Sequence, residues 1–585
     1  MPGEKPLSNY LGLDIGKINT RAAFFGVSER KFRLQGYGIA PTSLGSGMHP
    51  ASGAGRAVQV LQEKTGIVLV KPSEGIASTM DSMRQNIDQV GLVTSVGPRL
   101  KTSVFGLSAQ GSLNVGRVLA ESLPLCLSGL FGLADLGDES GVIDALITIQ
   151  PDLLIIAGGE DGSAEAHIIR WVELARTLCL LLPAPSRPMV LYAGDSAYHE
   201  MVHRRLEPVC QVLIAPNLQS EYGEMDLVPA QAVLDPEILK RWWQQMPGLG
   251  DLATLPNSKA ATVPFALGRI VRYLSQAKAT HPATALKSGV LAVDLGGHST
   301  MLLAGMDGRA GTVVQPCWEG FSISQDEALV SEVQKWTAQP VPLPAIQKYL
   351  SNYVVRPDVI PESLDDLAIL QAWARVRMQQ SLKRLAMNYN WLPYQPGQGL
   401  TAHFEPIIAS GSVLTQAPTP GQAMLMLLDG LQPRNVTTIV LDTYHLLPQM
   451  GLVGEIAPIL PVHVLESDAF TNLGTVIVAV SDVPAGETLL TANVKMETGK
   501  DYAVSIPQGT LRRLVVPKGV SVVLELEPRH HTDIGFGGPG LGGRLKVPSG
   551  VLGVVIDARG RPLRLPSDAE TRAAQLTRWL WNLGG

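Results

Sequence analysis

At 585 residues the chain is longer than one hydrophobic core can serve, since single cores stop growing at roughly 250–300 residues, so several domains are expected. An apolar fraction of 45% against 17% charged residues excludes a disordered chain, and a net charge of −5 leaves no broad basic field for nucleic acid. No apolar run approaches the roughly 18–20 residues of a membrane span, and the opening MPGEKPLSNY lacks the layout of a secretory signal, so a cytoplasmic protein is expected.

In chain order the sequence begins with strands at Tyr10–Asp14, Arg21–Gly26 and Lys31–Gly38, then a Gly/Ser/Pro-rich loop over 39–55, a helix over 56–63 and a strand at Gly66–Val70. The stretch LGLDIGKINTR brings Asp14 and Gly16 into a tight turn, with Lys17, Thr20 and Arg21 beyond it. A strand-end carboxylate, a bare glycine backbone, a hydroxyl and a cation suit a phosphate and Mg²⁺, although alone the stretch reads rather as an ordinary hairpin. From 71 to 275 strands at Leu92–Val96, Leu153–Ala157, Met189–Ala193 and Val212–Ala215 alternate with helices over 113–123, 164–182 and 199–207, which argues for a parallel, doubly wound sheet. Its strand ends carry Gly158–Gly162 and Gly194-Asp195, where Glu160 and Asp161 read mainly as helix caps. The run His203-Arg204-Arg205 reads as a solvated helix end, and Cys126, Cys179, Cys210 and Cys317 make no Cys-x-x-Cys pair, which gives no support to a disulfide framework or a zinc knuckle.

The first pattern returns at Gly289–Thr300, GVLAVDLGGHST, where Asp294, Gly296 and Gly297 precede Ser299 and Thr300. Beyond it lie Trp318-Glu319-Gly320 and a long helix to about Asn388 capped by Ser363 with Asp366. Then comes PIIASGSVL, where Ser410, Gly411 and Ser412 turn the chain and Pro420 opens a helix. From Asn472 short Val-rich runs separated by Pro and Gly read as an all-β module ending in a helix capped by Ser567 with Glu570. The G-x-G-x-x-G at Gly535–Gly540 lacks a strand–helix frame and reads as a surface loop, and His530-His531 is rejected as a metal pair.

Two Asp-x-Gly turns followed by a glycine turn before a helix resemble the superfamily of actin, sugar kinases and heat-shock chaperone ATPases. With DLLIIAGGEDG, VDLGGHST, IIASGSVLTQAPTPG, LPQMGLVG (447–454) and VLGVVIDARGRPL (551–563), the chain resembles the glutamate mutase-associated MutL-like proteins, unrelated to the mismatch-repair protein. The resemblance implies a two-lobed actin-like (ribonuclease H-like) α/β ATPase fold with an inserted doubly wound α/β domain and a C-terminal all-β module. Its parts would be residues 1–70, an insert over 71–275, the remaining core over 276–471 and the module over 472–585. It also implies ATP and Mg²⁺ as cofactors, with Asp14 and Asp294 as catalytic and metal-holding carboxylates. Phosphate would be gripped by Gly16, Lys17, Thr20, Arg21, Gly296, Gly297, Ser299 and Thr300, and adenosine by Ser410, Gly411 and Ser412. The implied role is a chaperone-like ATPase for an adenosylcobalamin-dependent mutase, with no nucleic-acid or membrane partner. A single adenosine-loop glycine, His298 in place of a small residue and Met301 where a carboxylate often stands keep a non-hydrolysing actin-like scaffold in view. A small-molecule kinase using Asp195 or Asp161 as base is a third reading.

Overall fold

Tyr10 to Ile15 are buried without a break, as they must be in a strand with neighbours on both sides. This strand, β1 (Asn9–Ile15), leads through a short turn to β2 (Asn19–Ser28) and β3 (Lys31–Pro41). Between β2 and β3 lie Glu29 and Arg30, both at positive φ (51° and 64°), the geometry of a two-residue hairpin turn. The computed structural model describes residues 8–42, 50–69, 87–158, 165–219, 223–246, 248–253, 255, 257–276, 288–316, 326–395, 399–496 and 501–584. These fall into two compact units, Met1–Phe24 with Gly38–Ala266, and Phe25–Tyr37 with Leu267–Gly585.

In the first unit the helix Pro50–Thr65 ends at Gly66 (φ +72°), whose N–H bonds to Gln62 O, and Leu69 N–H is taken by the Gln62 side chain. The strand expected at Gly66–Val70 is therefore a helix exit over its described residues, with Val68 exposed. The next strand, β4 (Gln89–Thr94), lies parallel to β1 with Asp14 opposite Val93. Leu92–Val96 was expected in the doubly wound sheet, and the pairing gives it to the first sheet instead. An apolar run carries no label of its partner.

The doubly wound sheet consists of β5 (Leu100–Phe105), β6 (Leu125–Phe131), β7 (Leu153–Ala157), β8 (Met189–Ala193) and β9 (Val212–Ala215), all parallel, in the order β6-β5-β7-β8-β9. Its strand order reverses between β5 and β7. The strand β5 escaped sequence reading because buried Thr102 and Ser103 interrupt its apolar run. Trp171 stacks on Phe105, 4.5 Å between ring centroids, within the core of this sheet. The chain then returns through β10 (Ser258–Thr262), parallel to β4, so the first sheet reads β3-β2-β1-β4-β10.

The second unit repeats that order. β11 (Gly289–Leu295), β12 (Ser299–Met306) and β13 (Arg309–Pro316) form an antiparallel meander whose second turn, Asp307-Gly308, has φ of 51° and 79°. A two-stranded ladder of β14 (Tyr394–Gln395) and β15 (Gly399–Leu400) precedes β16 (Phe404–Ser410) and β17 (Asn435–Leu441), which add parallel to β11 and give β13-β12-β11-β16-β17.

The remaining strands are β18 (Thr471–Val478), β19 (Val480–Ser481), β20 (Thr488–Met496), β21 (Tyr502–Pro507), β22 (Leu511–Leu514), β23 (Ser521–Pro528), β24 (Thr532–Asp533), β25 (Gly543–Pro548) and β26 (Val554–Asp557). Of these, β18, β26 and β22 extend the large sheet beyond β17 to eight strands, while β21-β20-β23-β25 make a separate antiparallel sheet. The expected boundary at Asn472 thus cuts β18, a strand of the large sheet. The last helix, Ala569–Asn582, is capped by Asp568 rather than Ser567. Gly535–Gly540 is an irregular loop with four glycines at positive φ, and His530-His531 precedes β24 in a turn.

A buried ion network ties this unit together. Asp429 accepts from Arg375 Nε (2.8 Å) and Arg559 Nη1 (2.7 Å), and Asp557 accepts from Arg559 Nε (2.9 Å) and Arg561 Nη2 (2.8 Å). Three guanidinium groups thus meet two carboxylates, and further donors of Arg375 and Arg561 go to the carbonyls of Gln371, Pro433 and Gly560. Arg559 also lies over the Trp579 ring, 4.6 Å from its centroid. Burial alone would raise the Asp557 pKa, but the Arg559 and Arg561 guanidiniums outweigh it and hold the carboxyl well below the usual range. Asp557→Asn is expected to destabilise the unit by about 3–5 kcal/mol at pH 7, read by urea unfolding. A depressed folded pKa stabilises fully above the unfolded value and loses that stabilisation as pH falls, so the gap between wild type and variant should narrow below about pH 4. Equal stability at pH 7 would show that the network contributes nothing net.

Candidate functional site

Residues 11–20 and 291–300 share one layout: five buried strand residues, four half-buried turn residues and a buried threonine. In the first copy the turn closes through Gly16 N–H to Asn19 O at 3.0 Å, and a Cβ on Gly16 would stand 2.9 Å from that oxygen. At Gly296 the equivalent approach, to Ser299 O, is 3.2 Å. Each turn therefore presents backbone at close range at the end of a strand, β1 or β11, that stands third from the edge of its sheet.

In the first unit Asp14, 3% exposed, accepts from Arg21 Nη1 at 2.8 Å through Oδ2. Thr20 is fully buried and its Oγ1 lies 2.8 Å from Thr42 Oγ1, which donates in turn to Gly16 O at 2.7 Å. Thr20 thus donates to Thr42 and braces the turn, where sequence reading gave it a phosphate. Arg21 holds the Asp14 carboxylate, where sequence reading aimed it at the transferred phosphoryl group. Lys17 sits half-buried in the turn.

In the second unit Asp294, 6% exposed, is in register with Met301 on one side and Ser410 on the other. Its Oδ2 lies 3.4 Å from His445 Nε2, on a residue held at φ +56°. Asp442, fully buried at the end of β17, accepts the N–H groups of Leu446 and Leu447, both at 2.7 Å, and so opens the helix Leu447–Val453. Its carbonyl accepts from Ser410 Oγ at 3.4 Å. From the long helix Leu364–Asn388, started by the Ser363/Asp366 capping box, buried Arg377 donates through Nε to Thr300 Oγ1 (2.7 Å) and through Nη2 to Gly296 O (3.0 Å). Gly411 sits at φ +95° with its missing Cβ only 2.2 Å from Leu295 O.

The expected residues therefore fall into two groups. Asp14, Gly16, Lys17, Thr20 and Arg21 share the first unit, and Asp294, Gly296, Gly297, Ser299, Thr300, Ser410, Gly411 and Ser412 the second. Ser410 and Gly411 adjoin Asp294 and Leu295 directly, while Ser412 starts the short helix Ser412–Thr415. Met301 is buried on β12 directly across from Asp294. Asp195 spends its carboxylate on the Ala197 N–H at 2.8 Å, which is a cap and not a free base. Glu160, Asp161, Cys317 and Trp318-Glu319-Gly320 lie outside the described residues.

Sequence reading missed Thr42, Arg377, Asp442 and His445. Asp442 had a signal, a third carboxylate at the end of an apolar strand, whereas Arg377 had none within a long helix. Both strand-end carboxylates offer the hard oxygen ligands Mg²⁺ prefers, and among the described residues no three His, Cys, Asp or Glu side chains cluster as a cage. A single strand-end carboxylate of this kind fits an ion taking most of its ligands from nucleotide and water. No helix of the described residues is long and apolar enough to cross a membrane.

Compared with known proteins, residues 10–469 match the model of the family described as MutL protein. Among curated proteins none matches. Solved structures with similarity include a PPX-GPPA enzyme of Aquifex aeolicus (13% identity, 71% of this chain and 72% of that one, TM-score 0.19). They also include a glycerol dehydratase reactivase (10%, 72% and 95%, 0.25) and a diol dehydratase-reactivating factor (8%, 77% and 100%, 0.27). At these scores the likenesses are too loose to transfer a function.

The Gly411 contact is directly testable. Gly486 has a similar φ (+89°) with nothing near its Cβ position, so Gly486→Ala isolates the backbone strain, about 1–3 kcal/mol. Gly411→Ala adds a collision with the Leu295 backbone and is expected to lower the unfolding midpoint clearly further than Gly486→Ala. Equal shifts would refute the close packing of this turn on β11.

Proposed function

Because the chain belongs to the MutL protein family, the one associated with glutamate mutase, we propose that it is an ATP-binding, slowly hydrolysing chaperone-like protein that assists or reactivates an adenosylcobalamin-dependent mutase. The observation that carries the nucleotide reading is the repetition of one sheet order, 3-2-1-4-5 in local strand numbering, with an Asp-x-Gly turn at the end of the central strand each time. In this reading the two sheets are the lobes of an actin-like ATPase, and β5 to β9 form a domain inserted between β4 and β10. The C-terminal strands then divide between an extension of the second lobe and the separate sheet of β20, β21, β23 and β25.

The residues have distinct tasks in this proposal. Backbone N–H groups of the Gly16 and Gly296–Gly297 turns would receive phosphate oxygens, and Asp14 and Asp294 are the carboxylates that would hold Mg²⁺ through water. The ion supplies charge neutralisation for the phosphates. Arg21, which pairs with Asp14, would be the cation available to the phosphates at the first turn. Arg377 keeps Thr300 and the Gly296 carbonyl fixed, so the second loop does not reorganise during binding. Gly411 lets the adenosine turn lie against Leu295, beside Asp294. A second reading, a scaffold that binds nucleotide without turnover, is favoured by one observation: Arg21 is already engaged by Asp14 and Thr20 is sealed.

Isothermal titration with Mg-ATP, beside Asp294→Ala and a slow phosphate-release assay, tests the proposal. Binding in the micromolar range that is lost in the variant, with slow phosphate release, is the expected result. Binding without release would select the scaffold. No heat and no thermal protection at millimolar Mg-ATP would overturn the nucleotide reading.

A further inference from the structure

Between β13 and β16 the second unit carries the helices Glu327–Lys335, Leu343–Val355 and Leu364–Asn388. The last two are joined by a segment that reads VRPDVIPESL over 355–364. Its aliphatic side chains lie open to solvent. Ile360, Val355 and Leu364 are 77%, 76% and 72% exposed, the three highest values for large apolar side chains among the described residues, and Val359 is exposed beside them. Apolar residues scattered singly over a surface need no explanation, but four within ten residues form a patch.

The backbone that carries them is fixed by local bonds. Arg356 N–H closes the helix Leu343–Val355 on Asn352 O at 2.9 Å, and Val359 N–H donates to Arg356 O at 3.2 Å. The Arg356 guanidinium grips the Asp358 carboxylate with two bonds, of 3.0 and 3.2 Å. Pro357 and Pro361 restrict φ, and the Ser363/Asp366 capping box starts the next helix. An apolar surface held in this way loses little freedom when it is covered, so it is prepared for binding. It also opens the helix whose Arg377 braces the second turn, about 20 Å further along the axis at 1.5 Å per residue.

The charges around the patch select its partner. Residues 355–366 carry one cation and four carboxylates, a net charge of −3. Asp358 is spent on Arg356 and Asp366 on the Ser363 N–H, while Glu362 and Asp365 are exposed with no partner among the described residues. A second copy of the chain is a poor occupant, because a two-fold contact would bring two acidic rims together. The complementary surface is an apolar recess rimmed by Lys or Arg.

We propose that residues 355–364 are the docking surface for the adenosylcobalamin-dependent mutase, with Ile360 and Leu364 entering an apolar recess of that enzyme and Glu362 and Asp365 meeting its basic rim. This rests on the mutase-assisting role proposed for the chain. It assigns the contact to a helical tip that shares no residue with either Asp-x-Gly turn.

The test is biolayer interferometry of the full chain against purified glutamate mutase, with and without Mg-ATP, beside a Mg-ATP titration of each variant. Ile360→Ser combined with Leu364→Ser is expected to weaken mutase binding about tenfold, through faster dissociation, and to leave Mg-ATP binding unchanged. Leu541→Ser, at an exposed leucine outside the patch, is expected to change neither. Glu362→Lys is expected to slow association several-fold at low salt and to flatten its salt dependence. Equal mutase binding by wild type and the double variant would overturn the docking surface and leave the mutase role standing. So would an equal loss in Leu541→Ser. An unchanged association rate in Glu362→Lys would overturn the basic rim. No mutase binding by wild type in either nucleotide condition would sink the mutase role itself, and this occupant with it.

Discussion

Two carboxylates and three guanidinium groups closed off from water fix how the second unit is assembled. Asp429 lies on the helix Pro420–Leu431, Asp557 at the end of β26, Arg375 on the helix Leu364–Asn388 and Arg559 and Arg561 just beyond β26. Charges buried this completely tolerate little displacement, because any gap leaves a desolvated ion without its partner. Three segments far apart in sequence are thereby held in one register. Arg377 lies two residues beyond Arg375 on the same helix, so the anchor that sets the helix also sets the donor that braces Thr300 and the Gly296 carbonyl. A stability device and a candidate binding loop thus share one rigid element.

The two Asp-x-Gly turns are alike in backbone and different in how their carboxylates are attended. Asp14 is met by a guanidinium from the following strand, and Asp294 by an imidazole from the segment after β17. Their hydroxyls differ too. Thr20 gives its proton to Thr42, whereas Thr300 accepts from Arg377 and so keeps its own proton to donate. The second loop is the better prepared of the two to hydrogen-bond an anion, and the first must rearrange before Arg21 meets one.

The sheet of β5 to β9 has its own core, built around Phe105, Trp171 and Tyr192, and shares no strand with the sheets that carry the two turns.

Local chemistry was legible in the sequence alone. Asp-x-Gly between apolar runs determined both turns, Ser363 with Asp366 the start of the long helix, and alternating β and α runs the parallel sheet, because each rests on neighbours within a few residues. Gly411 was legible as a turn, but that its backbone abuts Leu295 was not. Tertiary structure decided whatever depends on partners distant in sequence. Leu92 lies in the first sheet beside Leu13, and β18, β22 and β26 complete the large sheet, since a Val-rich strand looks the same whichever sheet it joins. The same holds for Thr42, Arg377, Asp442 and His445, whose roles come from contacts made 22 to 151 residues away, a range over which sequence spacing carries no geometry.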